Sequence, residues 1–172
     1  MDFQELFNDK SKKPKEKTEV LSKWMMANPK KLNNLIDFAL TSKDPVKATC
    51  IEAIEFATKS KPEIASINCL NFVSQTLTEK APRVKWESAK VVGNIAHLYP
   101  GKLDETIKNL LVNTEHDGTV VRWSAAFALG QIIKIKTTRN KNLIPAIESI
   151  CGREKKNSIK KIYLEALKKA KN

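Results

Sequence analysis

An all-α chain, folded as a side-by-side stack of helical hairpins, is what this sequence predicts, and three observations carry the prediction. Five Gly and seven Pro among 172 residues are too few for a turn-rich sandwich or barrel, while Lys, Leu, Ile, Ala and Glu dominate, as helices prefer. The segment Val84 to Gly93 superposes without a gap on Val121 to Gly130, and seven of the ten columns keep their chemical type. The same frame fits Val46-Lys47 with Cys50, Ala53, Ile54 and Ala57, and Ile159-Lys160 with Tyr163, Ala166, Leu167 and Ala170, so the anchors stand 38, 37 and 38 residues apart. Near-equal registers of this length mark a repeat architecture.

The first expected element is a helix from Glu16 to Ala27, with Val20, Leu21, Trp24 and Met25 on one side. Lys10 to Lys17, charged and containing Pro14, reads as a mobile linker ahead of it. Four helix-turn-helix units follow. Their first helices are Lys30 to Leu40 after Pro29, Glu63 to Leu77 after Pro62, Lys102 to Val112 after Gly101, and Asn142 to Ile150 after Asn140. A Pro at or just before a first turn loses no hydrogen bond the helix would have made. The turns carry Asp44-Pro45, Ala81-Pro82 and Asp117-Gly118, and Asp44 and Asp117 are expected to cap the helices that follow.

The second helices carry the repeat. Their apolar positions fall at i, i+4, i+7, i+8 and i+11, as in Val84, Ser88, Val91, Val92 and Ile95, which is the stripe of an amphipathic helix. Small residues crowd that stripe. Gly93 and Gly130 return at one register although a helical Gly costs about 0.5–1 kcal/mol relative to Ala, so a close helix contact is expected there. Pro145 should kink its helix. No hairpin alone can bury its stripe, but stacked hairpins share one core and need capped ends. The expected division is therefore residues 1–28 as lysine-rich segment and capping helix, and residues 29–172 as an array of units 29–60, 61–99, 100–138 and 139–172. Lys160, Lys161, Lys168, Lys169 and Lys171 keep the outer face of the last helix, Ile159 to Ala170, soluble.

These residues resemble the HEAT repeats, especially their short bacterial and archaeal form. The second helix of that form reads Val-Arg, two variable residues, Ala, two variable residues, Ala-Leu-Gly; Val121-Arg122, Ala125 and Ala128-Leu129-Gly130 match it closely. Val84-Lys85, Ser88 and Val91-Val92-Gly93 match conservatively, the other two units more loosely, and Pro145 resembles the mid-helix Pro of the family's first helix. The resemblance implies an α-α superhelix whose second helices line a concave surface. It places Trp86, Lys90 and Asn94 of one unit and Trp123, Phe127 and Gln131 of the next on that surface, as the expected partner-binding residues. The residues alone leave open whether the two Trp rings line the groove or pack between helices. The resemblance also implies an inter-repeat ladder at Lys47, Lys85, Arg122 and Lys160, with Asp44 and Asp117 as expected acceptors.

Charge is the remaining guide. The chain carries +12, and from Lys134 to Asn172 twelve Lys and Arg face three Glu, a net of +9, whereas Asp44 to Lys80 is nearly neutral. Lys155, Lys156, Lys160, Lys161, Lys168 and Lys169 form a candidate basic patch, open to nucleic acid, anionic lipid or acidic protein. His97 and His116 lack the spaced partners of a zinc site, no phosphate loop or nucleophile motif is present, and neither a metal nor a cofactor is expected. The HEAT-like alkylpurine DNA glycosylases place a catalytic Asp one turn after a Trp; here those positions hold Lys90 and Phe127, so base excision is not expected. The three cysteines, Cys50, Cys69 and Cys151, are odd in number and dispersed, and read as reduced core residues. The expectation is a cytoplasmic, monomeric, non-enzymatic scaffold or adaptor that grips a protein through its concave face. The alternative is sequence-independent nucleic-acid binding, as an inactive relative of those glycosylases. No small-molecule substrate and no membrane span are expected.

Overall fold

The computed structural model describes residues 1–172 and contains ten α-helices, four short 3-10 turns and no strand. The helices are α1 Phe3–Asn8, α2 Pro14–Ala27, α3 Leu32–Thr41, α4 Asp44–Ser60, α5 Ile67–Thr76, α6 Pro82–Ile95, α7 Asp104–Asn113, α8 Thr119–Lys134, α9 Asn140–Arg153 and α10 Asn157–Lys171. The even-numbered helices α2 to α10 pack in one row, each against the next, and α3, α5, α7 and α9 lie behind them, each against its hairpin partner. A single core runs from Leu21 to Leu167. Val84, Val121 and Ile159 are buried at the same register, Val84 and Ile159 within that core, and Val46, near the start of α4, is half-buried. No helix is long and apolar enough to cross a membrane.

Proline sets the start of the first three inner helices. Pro14, Pro45 and Pro82 each occupy the first turn, where the missing N–H has no intrahelical partner to lose. The outer helices begin less simply than their periodicity predicts. Pro62–Ile64 is a separate 3-10 turn, and α5 starts afresh at Ser66, whose hydroxyl accepts from the Cys69 N–H. Pro145 lies inside α9, which runs through it.

Two expectations at the element ends are corrected. Lys10 to Lys17 is not a linker throughout, because Pro14 opens α2, and a further helix, α1, precedes it. That helix closes the start of the stack with aromatic rings: Phe3 meets Trp24 edge-on at 5.2 Å, and Phe7 stacks on Phe38 at 5.7 Å. Lys17 secures it by donating to the Phe7 carbonyl at 2.7 Å. Nor do Asp44 and Asp117 cap their helices. The cap positions are Lys43 and Gly118, without a side-chain bond. Asp44 already lies inside the first turn and Asp117 stands one residue too early, so neither carboxylate reaches the free N–H groups.

The inner row is set by how closely its helices approach. A Cβ on Gly130 would stand 3.1 Å from the Cβ of Ala166 on α10, and one on Gly93 would overlap the Phe127 ring on α8. The small residues at this register are therefore contact points between units. All three cysteines are free and buried, and burial pushes the Cys50 and Cys69 thiols up to about 12.

Two substitutions test these backbone and packing arguments. Lys136, two residues after α8, is the one non-Gly residue at positive φ (58°). Lys136→Gly should raise stability by about 0.5–1 kcal/mol, read as a higher urea midpoint, because Gly adopts that conformation without a Cβ clash. Gly130→Leu should lower stability by about 1–3 kcal/mol in the same measurement, since α8 and α10 must separate to admit the side chain.

Candidate functional site

At 100° per residue, Trp86, Lys90 and Gly93 lie on α6 across from the buried stripe of Val84, Val91 and Ile95, and Trp123, Phe127 and Gly130 lie likewise on α8. The inner face of the stack is built from these positions. Trp123 is 38% exposed and its ring stacks on that of half-buried Phe127, with centroids 6.0 Å apart and planes 6° from parallel. Val120, one turn earlier, is 51% exposed. Together they form an apolar strip open to solvent. Trp86 is half-buried, and its Nε1 donates to Glu87 Oε1 at 2.7 Å. Of the two tryptophans, Trp123 is therefore the more available.

Lys90 and Asn94 are placed differently from the sequence expectation. The Lys90 ammonium lies 3.0 Å from Glu87 and 3.2 Å from Glu55, whose side chains are only 5% and 7% exposed. Burial works against its charge, but the two carboxylates outweigh it and hold the lysine pKa above its ordinary value. For Glu87 burial wins: its pKa is raised, although Lys90 and the Trp86 N–H pull the other way. Asn94 donates from α6 to the Glu55 carbonyl and the Thr58 hydroxyl on α4, both at 3.2 Å. Further toward the start of the row, Glu52 accepts from Thr18 at 2.7 Å and from Arg83 at 3.0 Å. The polar groups on the α2–α4–α6 part of the inner face thus satisfy one another. At the corresponding position on α8, Gln131 accepts from Lys134 of the same helix at 3.4 Å.

Three of the four ladder cations reach forward into the next unit, and their acceptors are not the expected ones. Lys47 donates to Glu79 at 2.8 Å; Lys85 donates to the Leu77 carbonyl at 2.9 Å and to the Asn113 side chain at 3.1 Å. Arg122 donates to Glu154 at 3.0 Å and to the His116 and Asp117 carbonyls, both at 2.9 Å. The side-chain acceptors are thus Glu79, Asn113 and Glu154. Asp117 contributes only its backbone, and the Asp44 carboxylate lies on the exposed start of α4. Asn113 also donates to the Leu77 carbonyl, and Thr106 and Asn109 tie the same helix to Ser74. Sequence reasoning misses this buried polar stripe at i, i+3 and i+7 of α7, although its spacing is visible there. Lys160, at the same register on α10, is half-buried without a carboxylate partner.

Of the basic patch, Lys155, Lys156, Lys161, Lys168 and Lys169 are exposed. Lys161 has Glu165 at 4.0 Å. Lys134, half-buried at the end of α8, has its pKa pushed down by burial and by the charge of Lys169, with Glu165 offsetting in part. His97 is exposed in a 3-10 turn, and His116 accepts the Gly118 N–H through Nδ1 at 2.9 Å.

A row of inner helices backed by outer helices at a period of 37 to 38 residues makes this chain an armadillo/HEAT-like repeat solenoid. Solved structures of that architecture superpose on nearly its whole length. One engineered protein from a structural genomics programme has a TM-score of 0.67 at 20% identity, covering 98% of this chain and 79% of its own. A designed armadillo repeat protein in complex with the peptide (KR)4 has a TM-score of 0.69 at 16% identity, covering 99% of this chain and 80% of its own. A computationally designed armadillo repeat protein for modular peptide recognition has a TM-score of 0.68 at 16% identity, over 90% of this chain and 74% of its own. No family model matches the chain, and no curated protein matches it.

The Arg122–Glu154 rung gives a measurable pH dependence. Burial alone would raise the Glu154 pKa, but the Arg122 guanidinium and the Lys156 N–H outweigh it and hold it below the ordinary carboxylate value. An acid with a depressed folded-state pKa adds stability that is complete above its unfolded value, about 4.3, and is lost as pH falls through the folded value. Glu154→Gln should be less stable than the unaltered chain near neutrality. The gap in urea midpoint should hold above about pH 5 and narrow as pH falls below about 4.3.

Proposed function

We propose that this chain is a non-enzymatic binding module that holds a polypeptide segment on its concave face, against Trp123, Phe127 and Gln131, with Trp86 as the shoulder of the site. The observation that carries this reading is the stacked, solvent-open Trp123–Phe127 pair beside exposed Val120, on the inner row of a solenoid. A large aromatic ring left partly in water on the inner row of such a stack has the character of an interface anchor. Designed proteins of the same architecture bind peptides, which supports a polypeptide as the class of partner. Lys90 and Asn94 act here as the floor that fixes α6 on α4, since their polar groups already have partners. A second reading, contact with nucleic-acid phosphates, draws on the exposed lysines 155, 156, 161, 168 and 169. It requires an affinity that falls log-linearly with salt.

Selection from a random phage-displayed peptide library tests the first reading. The unaltered chain should enrich a family of peptides, and Trp123→Ala should weaken the enriched peptides by at least about tenfold while moving the urea midpoint by less than about 1 kcal/mol in stability. Peptides that bind both proteins equally would place the site elsewhere. No enrichment, with salt-sensitive binding to a DNA duplex, would favour the second reading.

A further inference from the structure

Three rows of register cross the inner face, and each ends on α10 in a lysine. Trp86 and Trp123 lead to Lys161, Gly93 and Gly130 lead to Lys168, and Asn94 and Gln131 lead to Lys169. These three lysines are exposed, and Glu165 is the one acid on α10. Beside them, half-buried Lys134 closes the α8 end of the same corner and feels the charge of Lys169. The opposite end of the face is different in kind. There Glu52, Glu55 and Glu87 are already engaged by Thr18, Arg83 and Lys90. The inner face therefore has a self-neutralised end on α4 and α6, an apolar middle on α8, and a corner between α8 and α10 where Lys134, Lys161, Lys168 and Lys169 share a single acid, Glu165.

We propose that the segment held on this face is acidic: a large apolar side chain rests on the Trp123–Phe127 pair, and carboxylates following it meet Lys161 and Lys169 on α10 and Lys134 at the end of α8. The proposal rests on the reading of the concave face as a polypeptide site and adds the chemistry of the occupant. Packed helix axes lie about 8–10 Å apart, and an extended chain advances about 3.3 Å per residue. The step from α8 to α10 therefore takes about three residues, so the carboxylates belong within about four positions of the anchor. Nucleic acid fits this distribution less well. A phosphate backbone presents charge at every nucleotide and calls for cations along its whole track, whereas here they gather at one end. The Trp123 and Phe127 rings also face each other, leaving no gap for a base between them.

The test selects peptides from one random library on two proteins, the unaltered chain and Lys161→Glu/Lys169→Glu, both exposed positions whose reversal should lower the urea midpoint only slightly, through two like-charge pairs with Glu165. Peptides enriched on the unaltered chain should carry Asp or Glu within about four positions of an aromatic or aliphatic residue, and should lose at least about tenfold in affinity on the charge-reversed protein, which should itself enrich Lys or Arg there. Enrichment without an acidic bias, with binding still lost in Trp123→Ala, would overturn the acidic occupant and leave the polypeptide site standing. Failure of any peptide to enrich, or enriched peptides indifferent to Trp123→Ala, would remove both. Binding of a labelled oligonucleotide that abolishes peptide capture and falls log-linearly with salt would assign the corner to phosphates instead.

Discussion

The structure depends on how closely successive inner helices can lie. At one register of the repeat the contact is made by a residue with little or no side chain, Gly93 against Phe127 and Gly130 against Ala166. Only at that separation do the apolar stripes of adjacent units meet as one core, because helices held farther apart would leave voids that dispersion forces cannot bridge. The energetic cost of a helical Gly is modest beside the burial it permits along the rest of each helix. The same constraint shapes the inner face. Phe127 approaches Gly93 closely and stacks with Trp123, so the apolar strip on α8 rests on the packing beneath it.

Much of this was legible in the amino-acid sequence because helix packing imposes a period, and a period survives in the order of residues. Val84, Val121 and Ile159 share a register because each is buried at the same place in its unit. The helix α1 was not legible: six residues are too few to display a 3.6-residue stripe, and the lysines after it masked the boundary. The ladder acceptors were illegible for another reason. Lys47, Lys85 and Arg122 find their side-chain partners 28 to 32 residues ahead, at Glu79, Asn113 and Glu154, and only the placement of the next unit decides which polar residue comes within reach. Proximity in sequence points to Asp44 and Asp117, whose side chains that placement leaves in solvent.

Lys90 is the instructive case at the site. A lysine one turn after a groove tryptophan reads as a free contact, yet two clues to its actual role stand in the sequence. Glu87 is three residues before it on the same helix face, a spacing at which opposite charges meet. Glu55 occupies on α4 the register that is Gly93 on α6 and Gly130 on α8. An acid at the close-approach position cannot remain alone, because a buried carboxylate needs a counterion, and Lys90 on the facing helix supplies it. Repeats are informative where they hold and also where one unit departs from the rest.

That departure divides the stack into two kinds of joint. Between α4 and α6 the contact is polar: Glu55, Lys90, Asn94, Thr58 and the Glu52–Arg83 pair engage one another in a single alignment. Such a network adds little net stability, since desolvation offsets most of the attraction, but a one-residue slip would strand the buried Glu55 carboxylate and part Glu52 from Arg83, so it holds the register of the two helices. Between α8 and α10 the contact is small and apolar, with Gly130 on Ala166 and Ile162, and polar side chains are displaced to its rim. The charges that would have been drawn into an interior network are instead Lys134, Lys161 and Lys169, standing around an open aromatic surface. The asymmetry of the inner face, self-paired toward its start and open toward its end, is thus a consequence of which residue each unit places at the one position where its neighbour comes nearest.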